Sequence, residues 1–273
     1  MNGNPYFDAN GSPRLIKSIV AFIDIIGFKN LIEEANRNGT LANEMMRLRQ
    51  AFDYSFGHMQ DIPSPRPSVV EHDKRAWEVK AFTDNIAIGF PLVRYDDAEA
   101  EFCEIMTRLS FFQFDMLRKG YAIRGAISVG ETYVDNELFF GHALIEAYNA
   151  ESTEACYPRI TLAKSAMDHL RQYRSDYSDI LAEDSDGYIF INYLQRTILT
   201  AEREHGPFYE DLNFHKDFIV AKLLEFCGTP AWKKYAWIEK YHNSFCARHS
   251  RYFNDSHRVT SPSLPHIPKA HLP

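Results

Sequence analysis

The stretch IVAFIDIIGFKNL, residues 19–31, constrains the fold more than any other part of the chain. Its apolar run is nearly continuous, the pattern of a strand covered on both faces. One carboxylate, Asp24, interrupts the run, and Gly27 ends it. An ionised carboxylate moved into a low-dielectric interior costs several kcal/mol unless a cation or hydrogen-bond donors pair with it. The chain therefore needs a sheet that keeps this strand in its interior and a partner for Asp24 close by.

The remaining elements follow from periodicity and breakers. LIEEANRNGTLANEMMRLRQAFDYSFGHM has a helical period interrupted near Asn38-Gly39, and DIPSPRPS after it is a loop. RAWEVKAFTDNIAIGFPL predicts a hairpin turning at Thr83-Asp84-Asn85. Phe102, Ile105, Met106, Leu109 and Phe112 recur at helical spacing within a helix over 96–118. YAIRGAISVGETYVDNELFF predicts a strand pair, Gly141 opens a helix, YPRITLA is a short strand, and DYSDILAEDSDGYIFINYL is a further hairpin. Strand, helix, strand, strand, helix, strand is the order of a ferredoxin-like split βαβ plan, so the expected class is α+β with an antiparallel sheet. Two more helices are expected around 209–226 and 230–252. The implied organisation is a mobile segment over 1–14, a catalytic core over 15–195, a helical extension over 196–259 and a mobile Pro-rich tail over 260–273.

Composition narrows the function. The 273 residues are 45% hydrophobic and 25% charged, as in an ordinary globular protein. A net charge of −7 argues against nucleic acid or an anionic membrane as partner, while a local basic pocket for a phosphorylated small molecule stays compatible. Four scattered cysteines without a CxxC pair indicate neither a zinc site nor a disulfide framework, and they suit a reducing cytoplasm. The polar N-terminus lacks a signal peptide's apolar region, so a cytoplasmic location is expected.

Asp24 at the carboxyl end of the first strand and Asp84 at the hairpin turn converge in a ferredoxin-like sheet, because the first strand lies beside a later hairpin strand. Two hard carboxylates with room for water and phosphate oxygens suit Mg²⁺ or Mn²⁺. The backbone N–H groups of Ile26, Gly27, Phe28 and Lys29 stand where a helix begins, a ready phosphate site. Each residue also has a bland reading. Asp24 alone is a candidate helix N-cap, and Asp84 alone a turn residue. Arg124 within its strand is either a catalytic cation or the partner of a neighbouring acid, and Asn149 either caps or contacts substrate. Tyr54, Phe56 and Phe82 read as core or interface aromatics.

Three ordered blocks, FIDIIGF (22–28), VKAFTDNIAIGF (79–90) and IRGAISVGETYV with FFGHALIEAYNAE (123–151), resemble the class III nucleotidyl cyclases. The resemblance spans about residues 17–162 and implies a metal site of Asp24, Ile25 and Asp84 holding two Mn²⁺ or Mg²⁺ ions. Lys80 fills the slot of a base-contacting lysine. The departures lie in the third block. Ile145 and Asn149 stand where that family has its transition-state Asn and Arg, and Leu138 stands where a purine-reading side chain is expected. A leucine cannot hydrogen-bond a base edge, so purine reading is not encoded there.

The altered third block resembles the bacterial pyrimidine cyclases of the Pycsar antiphage systems. That resemblance implies a homodimer with active sites at its interface. The dimer would convert UTP, or else CTP, to a cyclic nucleotide that acts on a downstream effector. It leaves the transition-state cation unassigned among Arg124, Arg159 and Lys29. A purine cyclase and a non-catalytic nucleotide-binding pseudocyclase are the competing readings.

Overall fold

The computed structural model describes residues 4–62, 77–93, 98–173, 177–199 and 209–260. Most of the expected 61–68 loop and the tail beyond 260 lie outside the described residues. The chain divides into two compact units, Met1–Tyr193 and Leu194–Pro273.

The first unit is built on β1 (Ile16–Ile25), with Ile19, Val20, Ala21 and Ile23 wholly buried. Burying each large aliphatic side chain of this kind contributes about 1.5–3 kcal/mol, which fixes β1 in the sheet interior. Gly27, left-handed at φ 79°, turns the chain into α1 (Phe28–Arg37), and Asn38-Gly39 separates α1 from α2 (Leu41–Asp61). The hairpin is β2 (Glu78–Phe82) and β3 (Asn85–Pro91), followed by α3 (Ala98–Arg118). Then come β4 (Ile123–Val134), β5 (Phe139–Gly141), α4 (His142–Thr153), β6 (Ile160–Leu162), α5 (Lys164–Leu170), β7 (Leu181–Glu183) and β8 (Ile189–Ile191).

The strands form one sheet in the order β2-β3-β1-β4-β6-β8-β7, with β5 paired to β4. Its first four strands stand in the ferredoxin-like order with antiparallel neighbours. This agrees with the expected antiparallel core, and beyond it β6 runs parallel to β4. A helix between two strands makes this parallel return the natural connection. Val20 and Phe22 pack against Ala143 and Ala147 of α4 on one side of β1.

Two expectations are corrected. Residues 4–14 are not a loose end: Tyr6 is fully buried, its hydroxyl lies 2.9 Å from Ser18 Oγ, and Phe7 bridges to Pro13. Arg159 is not a free cation. Its side chain is wholly buried, pairs with Asp184 and Asp186, and lies against the rings of Tyr157, Tyr188 and Phe190.

The second unit contains the short α6 (Arg196–Leu199), α7 (Tyr209–Glu225) and α8 (Trp232–Arg248). α7 and α8 pack through Leu212, Ile219, Leu223, Ile238 and Phe245. His215 and His242 stack within this layer at 5.1 Å, with Nδ1 atoms 2.9 Å apart.

Candidate active site

Strand register builds the site. Phe82 pairs with Asn85, Asn85 with Asp24, and Asp24 with Arg124, so one row of four residues crosses β2, β3, β1 and β4. Directly opposed residues share a face of a sheet. The next row, Lys80, Ala87, Phe22 and Ala126, lies on the same face, which is the face that α4 partly covers. The backbone N–H of Ile25 donates to Asp84 O at 3.1 Å, which carries the hairpin turn up to Asp24.

Thr83, the first turn residue, has φ 55°, the only positive value for a non-glycine among the described residues. A β-branched residue in the left-handed region is strained by about 1–3 kcal/mol, and such strain gathers at functional sites. Its hydroxyl lies 2.7 Å from Phe82 O and 2.8 Å from Asp84 Oδ1, and Asn85 Nδ2 donates to the same Asp84 oxygen at 3.0 Å. These contacts hold the Asp84 carboxylate beside Asp24.

Electrostatics mark the cluster. Burial raises the Asp24 pKa, Arg124 opposes that rise, and the Asp84 carboxylate adds to it. Arg124 Nε donates to Asp24 Oδ2 at 2.9 Å and lies equally close to Glu151 Oε1. Glu151 comes from the last turns of α4, is 4% exposed, and has its pKa raised by burial against the pull of Arg124. Sequence reading missed Glu151. Its only signal was an acid two residues after Asn149 in the third block, and nothing local says that it is buried.

Beside this row lies a cleft of about 510 Å³. Phe22, Phe82, Phe139, Leu144, Ile145 and Tyr148 supply most of its wall, with Lys80, Asn85 and Glu137 as polar groups. Phe22 and Tyr148 meet edge to face at 5.4 Å. An apolar, aromatic cleft with a few convergent polar groups is the ordinary form of a small-molecule site. Phe82, Ile145 and Tyr148 each expose more than half of their surface around it.

The sequence-predicted residues divide as follows. Asp24 is not a helix cap, since Gly27 holds the N-cap position of α1. Asp24, Asp84 and Arg124 come together, with Ile25 beside them, and Lys80 lines the cleft. Ile26 is a correction: its N–H donates to Ala122 O at 2.9 Å and is not available to a phosphate. The first intrahelical bond of α1 runs from Leu31 N to Gly27 O at 3.1 Å, so the amides of Phe28 and Lys29 precede the helical ladder. The Lys29 side chain is 85% exposed and 3.8 Å from Glu33. Leu138 is also a correction. Both its N–H and its C=O bond to the Asp135 turn, and Glu137 lines the cleft in its place. Asn149 is exposed on α4 and does not line the cleft.

The donor set fits a hard divalent cation. Asp24 and Asp84 offer adjacent carboxylates, and Glu151 Oε1 is a buried acceptor that receives no hydrogen bond. Among the described residues, no three His, Cys, Asp or Glu side chains are gathered tightly enough to hold an ion unaided. Water and phosphate oxygens would have to complete the shell, as Mg²⁺ prefers.

No protein-family model matches the chain, and neither does any curated protein sequence. Among solved structures it is similar to the adenylyl cyclase CyaB from P. aeruginosa, at 15% identity and a TM-score of 0.46, over 65% of this chain and 94% of that one. It is also similar to the guanylyl cyclase domain of the RhoGC fusion protein from the fungus Blastocladiella emersonii, at 14% identity and a TM-score of 0.41, over 65% and 95%. A third similar structure is the adenylate/guanylate cyclase/hydrolase from Silicibacter pomeroyi, at 16% identity and a TM-score of 0.35, over 65% and 95%. No helix among the described residues is long and apolar enough to cross a membrane.

Proposed function

We propose that this chain is a nucleotidyl cyclase that closes a pyrimidine nucleoside triphosphate, UTP before CTP, into its cyclic monophosphate and releases pyrophosphate. The observation that carries the reaction class is the meeting of Asp24 and Asp84 beside an aromatic cleft with helix amides nearby. When bound, a pair of Mg²⁺ or Mn²⁺ ions would lower the pKa of the ribose 3′-hydroxyl and neutralise the phosphates.

The chain's own residues do the rest. Asp24 and Asp84 hold the metal side of the site. The N–H groups of Phe28 and Lys29, at the positive end of α1, receive phosphate oxygens. Phe22, Phe82 and Tyr148 enclose the base and exclude water, and Lys80 donates to a base carbonyl or a phosphate. Arg124 keeps a positive charge against the carboxylates, 25% exposed. The pyrimidine preference, UTP before CTP, and a role in antiphage signalling rest on the sequence resemblance alone. The exposed rim of Phe82, Ile145 and Tyr148 supports a homodimer in which a second copy covers the cleft.

A binding protein that does not turn over is the second reading, favoured by Ile145 and Asn149 in the two transition-state slots. Incubation of the purified chain with Mn²⁺ and ATP, GTP, CTP or UTP separately, with products identified by mass, decides. One cyclic pyrimidine product is expected. A cyclic purine product overturns the base assignment. Nucleotide-dependent stabilisation without product, from folded dimer, establishes the binder.

A further inference from the structure

We infer that Glu151 is a positioning residue that receives Arg124 when a divalent cation claims Asp24, so that Arg124 is handed from one carboxylate to the other as the site loads. This rests on the metal-site reading above. The geometry points to the hand-over because one N–H faces two acceptors. Arg124 Nε is 2.9 Å from Asp24 Oδ2 and 2.9 Å from Glu151 Oε1. Its single hydrogen is aligned with Asp24. Glu151 Oε1 is therefore buried beside a guanidinium yet accepts no hydrogen bond, although Ser152 Oγ donates to its other oxygen at 3.1 Å.

A buried acceptor held by charge alone, with no hydrogen directed at it, is incompletely satisfied, so its persistence asks for a state in which it is satisfied. A cation on Asp24 creates that state. It takes the lone pairs that Arg124 now uses and repels the guanidinium at short range. The Cα of Arg124 cannot follow, because β4 is locked opposite β1 by the register Asp24–Arg124. Glu151 already lies within reach, so side-chain rotation alone completes the transfer. A purely structural Arg124–Glu151 pair, tying α4 to β4, predicts no movement at all.

The test uses the full chain with Mg²⁺ and inorganic tripolyphosphate, which supplies phosphate oxygens and nothing to cyclise. The ¹⁵N–¹H resonance of Arg124 Nε is assigned by its loss in Arg124→Lys. In the native chain the resonance is expected to shift on Mg²⁺ addition while its exchange with water stays slow. In Glu151→Gln the same addition should speed that exchange at least tenfold, because no carboxylate waits for the guanidinium. Mn²⁺ binding, followed in parallel by electron paramagnetic resonance, separates the two layers of the claim. An unmoved resonance in a chain that binds Mn²⁺ overturns the hand-over and leaves the metal site standing, as does equal protection in Glu151→Gln. A chain that binds no Mn²⁺ with tripolyphosphate overturns both.

Discussion

The backbone N–H of Ile25 donates to Asp84 O at 3.1 Å, and this one bond sets the hairpin turn beside the end of β1, so that two carboxylates 60 residues apart in sequence share a site. The pairing is electrostatically adverse for both acids, and the chain offsets it with Arg124, Thr83 and Asn85. A site that keeps like charges together against their repulsion is poised for a cation.

Asp84→Asn should reduce cyclisation by at least about a hundredfold, the scale of losing a group that positions transition-state charge. Asn retains an oxygen for Thr83 and Asn85, and it relieves the repulsion on Asp24. Stability in urea should therefore be unchanged or slightly raised. A variant that turns over normally removes Asp84 from the metal site.

Gly125→Ala should damage the site from outside it. A Cβ there would stand 2.6 Å from Phe22 O and 3.2 Å from Ile23 Cα, both backbone atoms of β1. β1 and β4 must then separate next to the Asp24–Arg124 pair. The expected loss is about 1–3 kcal/mol of stability, together with most of the activity. A urea midpoint equal to the native one would show that the two strands can slide without penalty.

Ile145→Asp and Ile145→Lys each place a charge on a residue of the cleft rim that is 58% exposed in the single chain. Each should leave the melting temperature of the isolated chain nearly unchanged, since such surface changes stay within about 0.5 kcal/mol. Each should nevertheless shift sedimentation from dimer toward monomer. Native-like dimers from both variants would rule out this rim as the interface.

The second unit should lose stability in acid. Burial lowers the pKa of His215 well below the usual imidazole value, with His242 adding to the effect. Burial lowers His242 to about 4, opposed by its bond to His257 O and assisted by Lys216 and His257. His242 Nε2 donates to His257 O at 2.8 Å, which leaves its Nδ1 to accept from His215 Nδ1–H. The folded pair therefore binds fewer protons than the unfolded chain. Its contribution is fully present above pH 6.5 and is lost as pH falls toward about 4, on the order of a few kcal/mol. Histidine ring resonances provide the check: neither should titrate near 6.5, and a midpoint there for either would refute the neutral pair.

Much of the fold was legible in the residue order. The continuous apolar run of 16–25, the breakers at Gly27 and Asn38-Gly39, and the Thr83-Asp84 turn each act within a few residues, so each element lies close to where its pattern predicted it. The site was legible only in part. Asp24 and Asp84 stood out because a carboxylate in an apolar run and one at a hairpin turn are local anomalies. Glu151, Glu137 and the burial of Tyr6 carried no such mark, because each depends on what another segment brings against it.

By itself, the sequence determined which segments are strands and helices, the order that allows a ferredoxin-like sheet, and the two acids that demand a partner. Backbone periodicity and turn chemistry are local, and they need no distant residue to act. The tertiary structure alone decided that Arg124 sits between Asp24 and Glu151, that Ile26 spends its N–H on Ala122, and that Glu137 rather than Leu138 lines the cleft. Those outcomes turn on strand register and on how α4 lies across the sheet. A shift of one residue in the β1–β4 register would move Arg124 to the face opposite Asp24.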